Sequence, residues 1–255
     1  IAWGSATAAT GTFPMIEIMQ LPMIGIETPE DATNILMDMW EDTDYLQNDF
    51  KDFHVLLFHT TAQTVLFFRD QIDVNSLDDV KGKILRTSGT WATKFVEAIG
   101  AAPLTGGASE VYSAWEKGMV DGQLGDWGFI MNYQLYDLVK TYVDYGVCYN
   151  PDFIIMNQQS WDNLPEAFQE VLTETTGRDA ALKIATAYGE CKQAVEEKCE
   201  TVGSTIQEAS PELIEALTAQ CEPLWGEWVE TNSEKGDSQE LFDWLVDKAA
   251  EINKE

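Results

Sequence analysis

Short apolar runs alternate with amphipathic stretches along most of this chain. "FHVLLFHT" (53–60) and "TVLFF" (64–68) are strand-sized blocks of β-branched and aromatic residues, and "KILRT" (83–87) is a third. Ile1–Ala2–Trp3 reads as the end of a strand already under way. Between these runs "TPEDATNILMDMWEDTDYLQNDF" places Ile35, Met39 and Trp40 on one helical face, with Thr28 as its N-cap and Pro29 in the first turn. "SLDDVKG" is a short capped turn leading into the third strand. After Gly89, "TWATKFVEAIGA" repeats apolar residues at Trp91, Phe95, Val96 and Ile99 and stops at Gly100. "SEVYSAWEKG" follows with Ser109 as its expected N-cap, and "MVDGQLGDW" returns to a strand. This β–α–β–α–β rhythm predicts parallel strands covered by helices.

Two further strands are expected within "YDLVKTYVDYGVCYNPDFIIMNQQSWDNLP". Pro165 to Gly203 then reads as one long charged helix, kinked near Gly177, and residues 211–255 as largely helical and rich in tryptophan.

The charge is the outlier: 44 acidic residues against 15 lysines and arginines give a formal net charge of −29. Such a surface repels nucleic acid and anionic lipid. The 45% hydrophobic content argues for a packed core despite it. No run approaches the ~20 apolar residues of a membrane span, so the chain is not expected to be membrane-spanning itself. Cys148, Cys191, Cys199 and Cys221 offer no C-x-x-C pair for zinc. Cys191 and Cys199 lie too far apart on one helix to bridge, and a Cys199–Cys221 disulfide stays open.

Candidate chemistry is sparse. His54 and His59, five apart in a strand, are expected on opposite faces and not in one site. No nucleophile elbow, phosphate loop or calcium loop is present, which argues against an enzyme and for no metal and no cofactor. Arg86 stands apart: it is one of three arginines, at the carboxyl end of a strand, beside a glycine turn that opens a helix. Open α/β sheets bind ligands there, and the planar guanidinium can hold a carboxylate through two parallel hydrogen bonds. Trp91 and Trp127 each follow a strand end and are expected beside the cleft, with Trp3 lining the opposite wall.

"KGKILRTSG" followed by "LTGGASEVYSAWEKGMVDGQ" (Leu104 to Gln123) resembles the core signature of the substrate-binding proteins of TRAP transporters, the DctP family. Gly100, Pro103, the Ser109–Tyr112 run, Ala114, Gly118 and the Val120–Gln123 run fall in register. "FPMIEIMQLPMI", "YDLVKTYVDYG" and "SWDNLP" also fit. The resemblance implies an α/β, two-lobed periplasmic-binding-protein-like fold with mixed sheets and a long lobe-spanning helix. Lobe I is expected over 1–64 and 152–191, lobe II over 65–151, and a C-terminal helical region over 192–255. Against the family, the first strand and helix of lobe I are missing from the start.

The implied function is a periplasmic receptor that closes over a small organic acid and delivers it to TRAP membrane subunits. Arg86 matches the arginine that pairs with the ligand carboxylate, and Thr87, Ser88 and Gln123 can add hydrogen bonds. The family's "D-G-Q-E-N" is here "DGQLGD", so the usual amide position is Gly125 and its hydrogen bond is lost or passes to Asp126. Ala108, where sialic-acid-binding members often carry an aromatic residue, disfavours sialic acid. One arginine among tryptophans suggests a monocarboxylate with an apolar or aromatic body. The rival readings are a sensing receptor of the same fold without a transport partner and, more distantly, a periplasmic enzyme.

Overall fold

The computed structural model of the chain describes residues 1–254. Among these residues nine strands form: β1 (Ala2–Ser5), β2 (Phe53–Thr60), β3 (Thr64–Phe68), β4 (Ile84–Thr87), β5 (Ala102–Thr105), β6 (Gly122–Asp126), β7 (Thr141–Asp144), β8 (Pro151–Asn157) and β9 (Thr205–Glu208). The first five helices are α1 (Pro29–Glu41), α2 (Gln47–Phe50), α3 (Thr90–Ala98), α4 (Val111–Glu116) and α5 (Trp127–Asn132). They are followed by α6 (Gln158–Asp162), α7 (Glu166–Thr175), α8 (Arg178–Val202), α9 (Pro211–Asn232) and α10 (Ser238–Ile252).

The strands sort into two sheets. A three-stranded sheet runs β1-β8-β2 with antiparallel pairing, and a six-stranded mixed sheet runs β5-β4-β6-β3-β7-β9. Within the larger sheet β4 lies parallel to both β5 and β6, as the alternating rhythm predicts, while β3 runs antiparallel to β6 and β7. The chain crosses between sheets after β2 and again before β8, and the two crossings are tied together. Thr61 N–H donates to the Asn150 carbonyl at 3.0 Å, and Thr64 N–H to that of Cys148 at 3.0 Å. Helix α8 packs on α1 and β2 at one end and on α5 and β9 at the other, so it spans both sheets.

Apolar burial follows the same division. Phe13, Phe50, Phe58 and Phe153 form the aromatic centre on the small sheet, with Phe13 stacked on Phe50 at 4.6 Å. On the large sheet, Leu66, Phe68, Leu85 and Phe95 pack one face under α3 and α9. Phe67, Trp115, Trp127 and Tyr142 pack the other.

Local signals in the sequence account for most boundaries. Thr28 caps α1, its Oγ1 accepting from Asp31 N–H at 3.0 Å, and Ser76 with Asp79 forms a capping box before β4. Three expectations need correcting, and one open point, the Cys199–Cys221 pair, is answered. The long helix from Pro165 is broken, not kinked: Gly177 adopts φ +79°, which ends α7 and starts α8. Ser109 lies inside a 3-10 turn (Ala108–Glu110) that precedes α4, so it is not the cap. All four cysteines are free, with Cys199 and Cys221 packed into different apolar clusters.

The histidines are the third correction. A bulge between Val55 and Leu57 resets the strand, so His54 pairs with Met156 and His59 with Asp152, putting both imidazoles on one face. They still serve separate surroundings: His54 stacks on Trp161 at 3.5 Å, and His59 on Tyr188 at 6.0 Å.

Candidate functional site

Between the two sheets lies a cleft of about 910 Å³. Its walls come from β1, the crossings and β8 on one side, from the carboxyl ends of β4, β5 and β6 on the other, and from Tyr188 of α8.

Parallel pairing on both sides of β4 puts Arg86 beside Leu104 and Gln123, near the end of the strand. The side chain is buried, at 7% exposure. One guanidinium nitrogen, Nη2, donates to the Gly106 carbonyl at 2.9 Å, the carbon of the fork stands 5.0 Å from the Phe129 ring centroid, and Nε has no partner. Burial pulls this group below its ordinary pKa, while Tyr133 and Asp126 act the other way. An arginine stays protonated through such a shift, so a desolvated cation with donors to spare faces the cleft. Gly89 (φ +82°) makes the turn from β4 into α3, and a Cβ there would come within 2.9 Å of the Gln20 side chain.

The acidic groups are equally unusual. Asp126 ends β6 and caps α5, its Oδ1 accepting from Phe129 N–H at 2.9 Å. Burial pushes its carboxyl up to about 6, against backbone donors and Asn150 that favour the ionised form. Asp152 of β8 is 1% exposed. Burial pushes it up to about 7, with Ser5 opposing and the Asp126 charge adding. Beside it in the sheet, His59 is buried and lowered in pKa by desolvation. Its Nδ1 lies 3.1 Å from the Thr60 carbonyl and its Nε2 accepts from Trp3 Nε1 at 3.3 Å, which sets a neutral ring protonated at Nδ1. No group of three or more metal-ligating side chains occurs among the described residues.

Of the residues singled out from the sequence, Arg86, Thr87, Ser88, Asp126 and Trp3 line the cleft together. Trp91, Trp127 and Gln123 are buried away from it. Trp91 joins the small-sheet core, Trp127 stacks on Tyr142 at 5.5 Å, and Gln123 Oε1 accepts from Trp115 Nε1 at 3.2 Å. The reason is helical phase. Thr90, Thr93, Lys94 and Glu97 form the cleft face of α3, with Ala92 at its edge, so Trp91, Phe95 and Val96 face inward. Phe129, Asn132 and Tyr133 likewise put α5's aromatic contribution one step along from Trp127. The 3.6-residue period after Asp126 carries that signal. For Asp152 and Tyr188 no local signal exists.

The family model described as bacterial extracellular solute-binding protein, family 7 (DctP), matches residues 1–232. Solved structures of low identity share the fold. A marine metagenome TRAP solute-binding protein, specific for aromatic acid ligands and complexed with metahydroxyphenylacetate, is 23% identical with a TM-score of 0.89, over 98% of this chain and 79% of that one. A TRAP solute-binding protein from Rhodoferax ferrireducens with copurified benzoate is 19% identical with a TM-score of 0.86, over 99% and 79%. One from Bordetella bronchiseptica with bound (R)- and (S)-mandelate is 20% identical with a TM-score of 0.85, over 98% and 80%.

Proposed function

Since this chain belongs to the DctP family of bacterial extracellular solute-binding proteins, we propose that its cleft receives a small organic acid through Arg86 and hands it to TRAP-type membrane subunits. The observation that carries this reading is the buried guanidinium with an unpartnered Nε, in a chain of net charge −29. An arginine desolvated in that way gains most from a carboxylate, whose two oxygens match its fork, and the low local dielectric strengthens the pair. Thr87 and Ser88 sit on the same strand end and supply hydroxyl donors.

Phe129, Tyr133, Tyr188 and the exposed Trp3 give the cleft flat apolar walls, which suit an acid with an aromatic or apolar body. Relatives of the same fold with benzoate, mandelate or metahydroxyphenylacetate bound support that substrate class.

The closing bodies are the lobe built on β1, β2 and β8 and the lobe built on β3–β7, hinged at the paired crossings. Among the described residues no helix is long and apolar enough to cross a membrane, and translocation in this reading is the work of the TRAP-type membrane subunits. The acidic surface disfavours nucleic acid as a partner.

Thermal-shift titration with a panel of aromatic and aliphatic acids tests the reading. At least one acid should stabilise the protein, and Arg86→Ala should weaken its binding by about a hundredfold or more, as loss of one partner of a buried charge pair does. Undiminished stabilisation of that variant removes Arg86 from the site.

A further inference from the structure

A carboxylate on Arg86 leaves one group in the cleft unexplained. Asp152 comes from β8 in the small sheet, whereas Arg86 comes from β4 in the large one, and both line the same cavity. Asp152 is 1% exposed, yet its Oδ1 has no hydrogen-bond partner. A buried carboxyl oxygen left unpaired is expensive, so such an atom on the wall of a binding cleft calls for a donor from outside the chain. The nearest hydroxyl, Ser5 on the paired strand β1, bears on this carboxyl but lies 2.8 Å from Thr7 Oγ1, and Oδ1 itself stays unpaired. Tyr188 and Trp3 give it flat flanking surface, and the indole N–H of Trp3 is already directed to His59.

We propose that Asp152 determines ligand specificity, its Oδ1 accepting a hydrogen bond from a hydroxyl group of the bound acid, so that this receptor selects hydroxy acids over their deoxy counterparts. The inference rests on the carboxylate reading of the cleft and adds a second anchor from the other lobe. Charge supports the choice. Arg86 has Asp126 beside it, and the other lysine or arginine on the cleft wall, Lys94, has its Nζ paired with Glu227 at 2.7 Å, so a second carboxylate on the ligand would meet acidic groups with no free cation, whereas a neutral hydroxyl meets an acceptor. A ligand held by Arg86 on one sheet and Asp152 on the other also bridges the lobes.

The test uses two matched series: lactate, propionate and pyruvate, and phenyllactate, 3-phenylpropionate and phenylpyruvate. Calorimetric affinities are compared for the natural protein, Asp152→Ala and Arg86→Ala. Asp152→Leu, close to aspartate in size, stands in if the alanine variant fails to fold. In at least one series the hydroxy acid should bind the natural protein about tenfold or more tighter than its deoxy partner. Removing the Asp152 carboxyl should bring that ratio to within about twofold.

A hydroxyl preference that survives loss of Asp152, or no preference in either series, overturns the proposal. A keto acid that binds as tightly as the hydroxy acid makes Asp152 a donor and overturns the accepting role. The Arg86 reading fails separately, if Arg86→Ala keeps its affinity for the deoxy acids. Binding of none of the six acids by the natural protein counts against both.

Discussion

An aspartate carboxyl ordinarily releases its proton near 3.9. Burial pushes Asp152 up to about 7 and Asp126 up to about 6 in the folded protein. A raised acid pKa means the fold holds a proton that the unfolded chain has already released, so folding is favoured at low pH. That contribution falls away as pH climbs from about 4 toward 7, and above it the ligand-free fold carries an ionised carboxylate with an unpaired oxygen. Asp152→Asn should therefore stabilise the empty protein at pH 8 by on the order of 2 kcal/mol, and by clearly less at pH 5.5. Denaturant melts at the two pH values decide it; an equal gain at both, or a loss, sinks the argument. Binding residues are commonly less stable in the empty state than their neutral replacements, and Asp152 is expected to follow that pattern.

Helix phase and strand register decide which side chains reach the cleft. The apolar positions Trp91, Phe95, Val96 and Ile99 already mark the inward side of α3, and the polar set Thr90, Thr93, Lys94 and Glu97 falls on the cleft by the same period. Position after a strand end was the weaker guide, since it placed Trp91 and Trp127 one helical step from where they point. The α7–α8 break and the β2 bulge form one device: Gly177 N–H donates at 2.9 Å to the carbonyl of Leu56, the residue between Val55 and Leu57 where the register shifts. A Cβ at Gly177 would meet nothing within 4 Å, so the strain of replacing it lies in the backbone at φ +79°. Gly177→Ala should lower stability by about 1–2 kcal/mol in urea melts, with ligand affinity little changed. An unaltered midpoint contradicts that account. Strand β9 had no forecast because "TIQE" is short and half-polar, and only its parallel pairing with β7 makes it a strand.

Across the whole molecule, 44 acidic side chains repel one another with few cations to offset them, and the ion pairs present are partly exposed and weak. Raising sodium chloride from about 0.05 to 0.5 M shortens the screening length several-fold and should raise the melting temperature. A fall would mean that the exposed pairs outweigh the repulsion. The alternation of strands and helices, the parallel relation of β4 to β6 and the place of Arg86 at a strand's carboxyl end were all legible in the sequence, whereas β5 was not. Those follow from patterns a few residues long: apolar period, caps and the glycine turn. Most of what meets Arg86 across the cleft came from the packed fold. Asp152 and Tyr188 lie 66 and 102 positions from it along the chain, and no local pattern marks them, whereas Trp3 was legible from its place at a strand end. Antiparallel pairing of β8 with β1 and β2, and the passage of α8 across both sheets, bring them to one wall. Long-range register is a property of the packed chain, since it depends on which buried faces match once every element has formed.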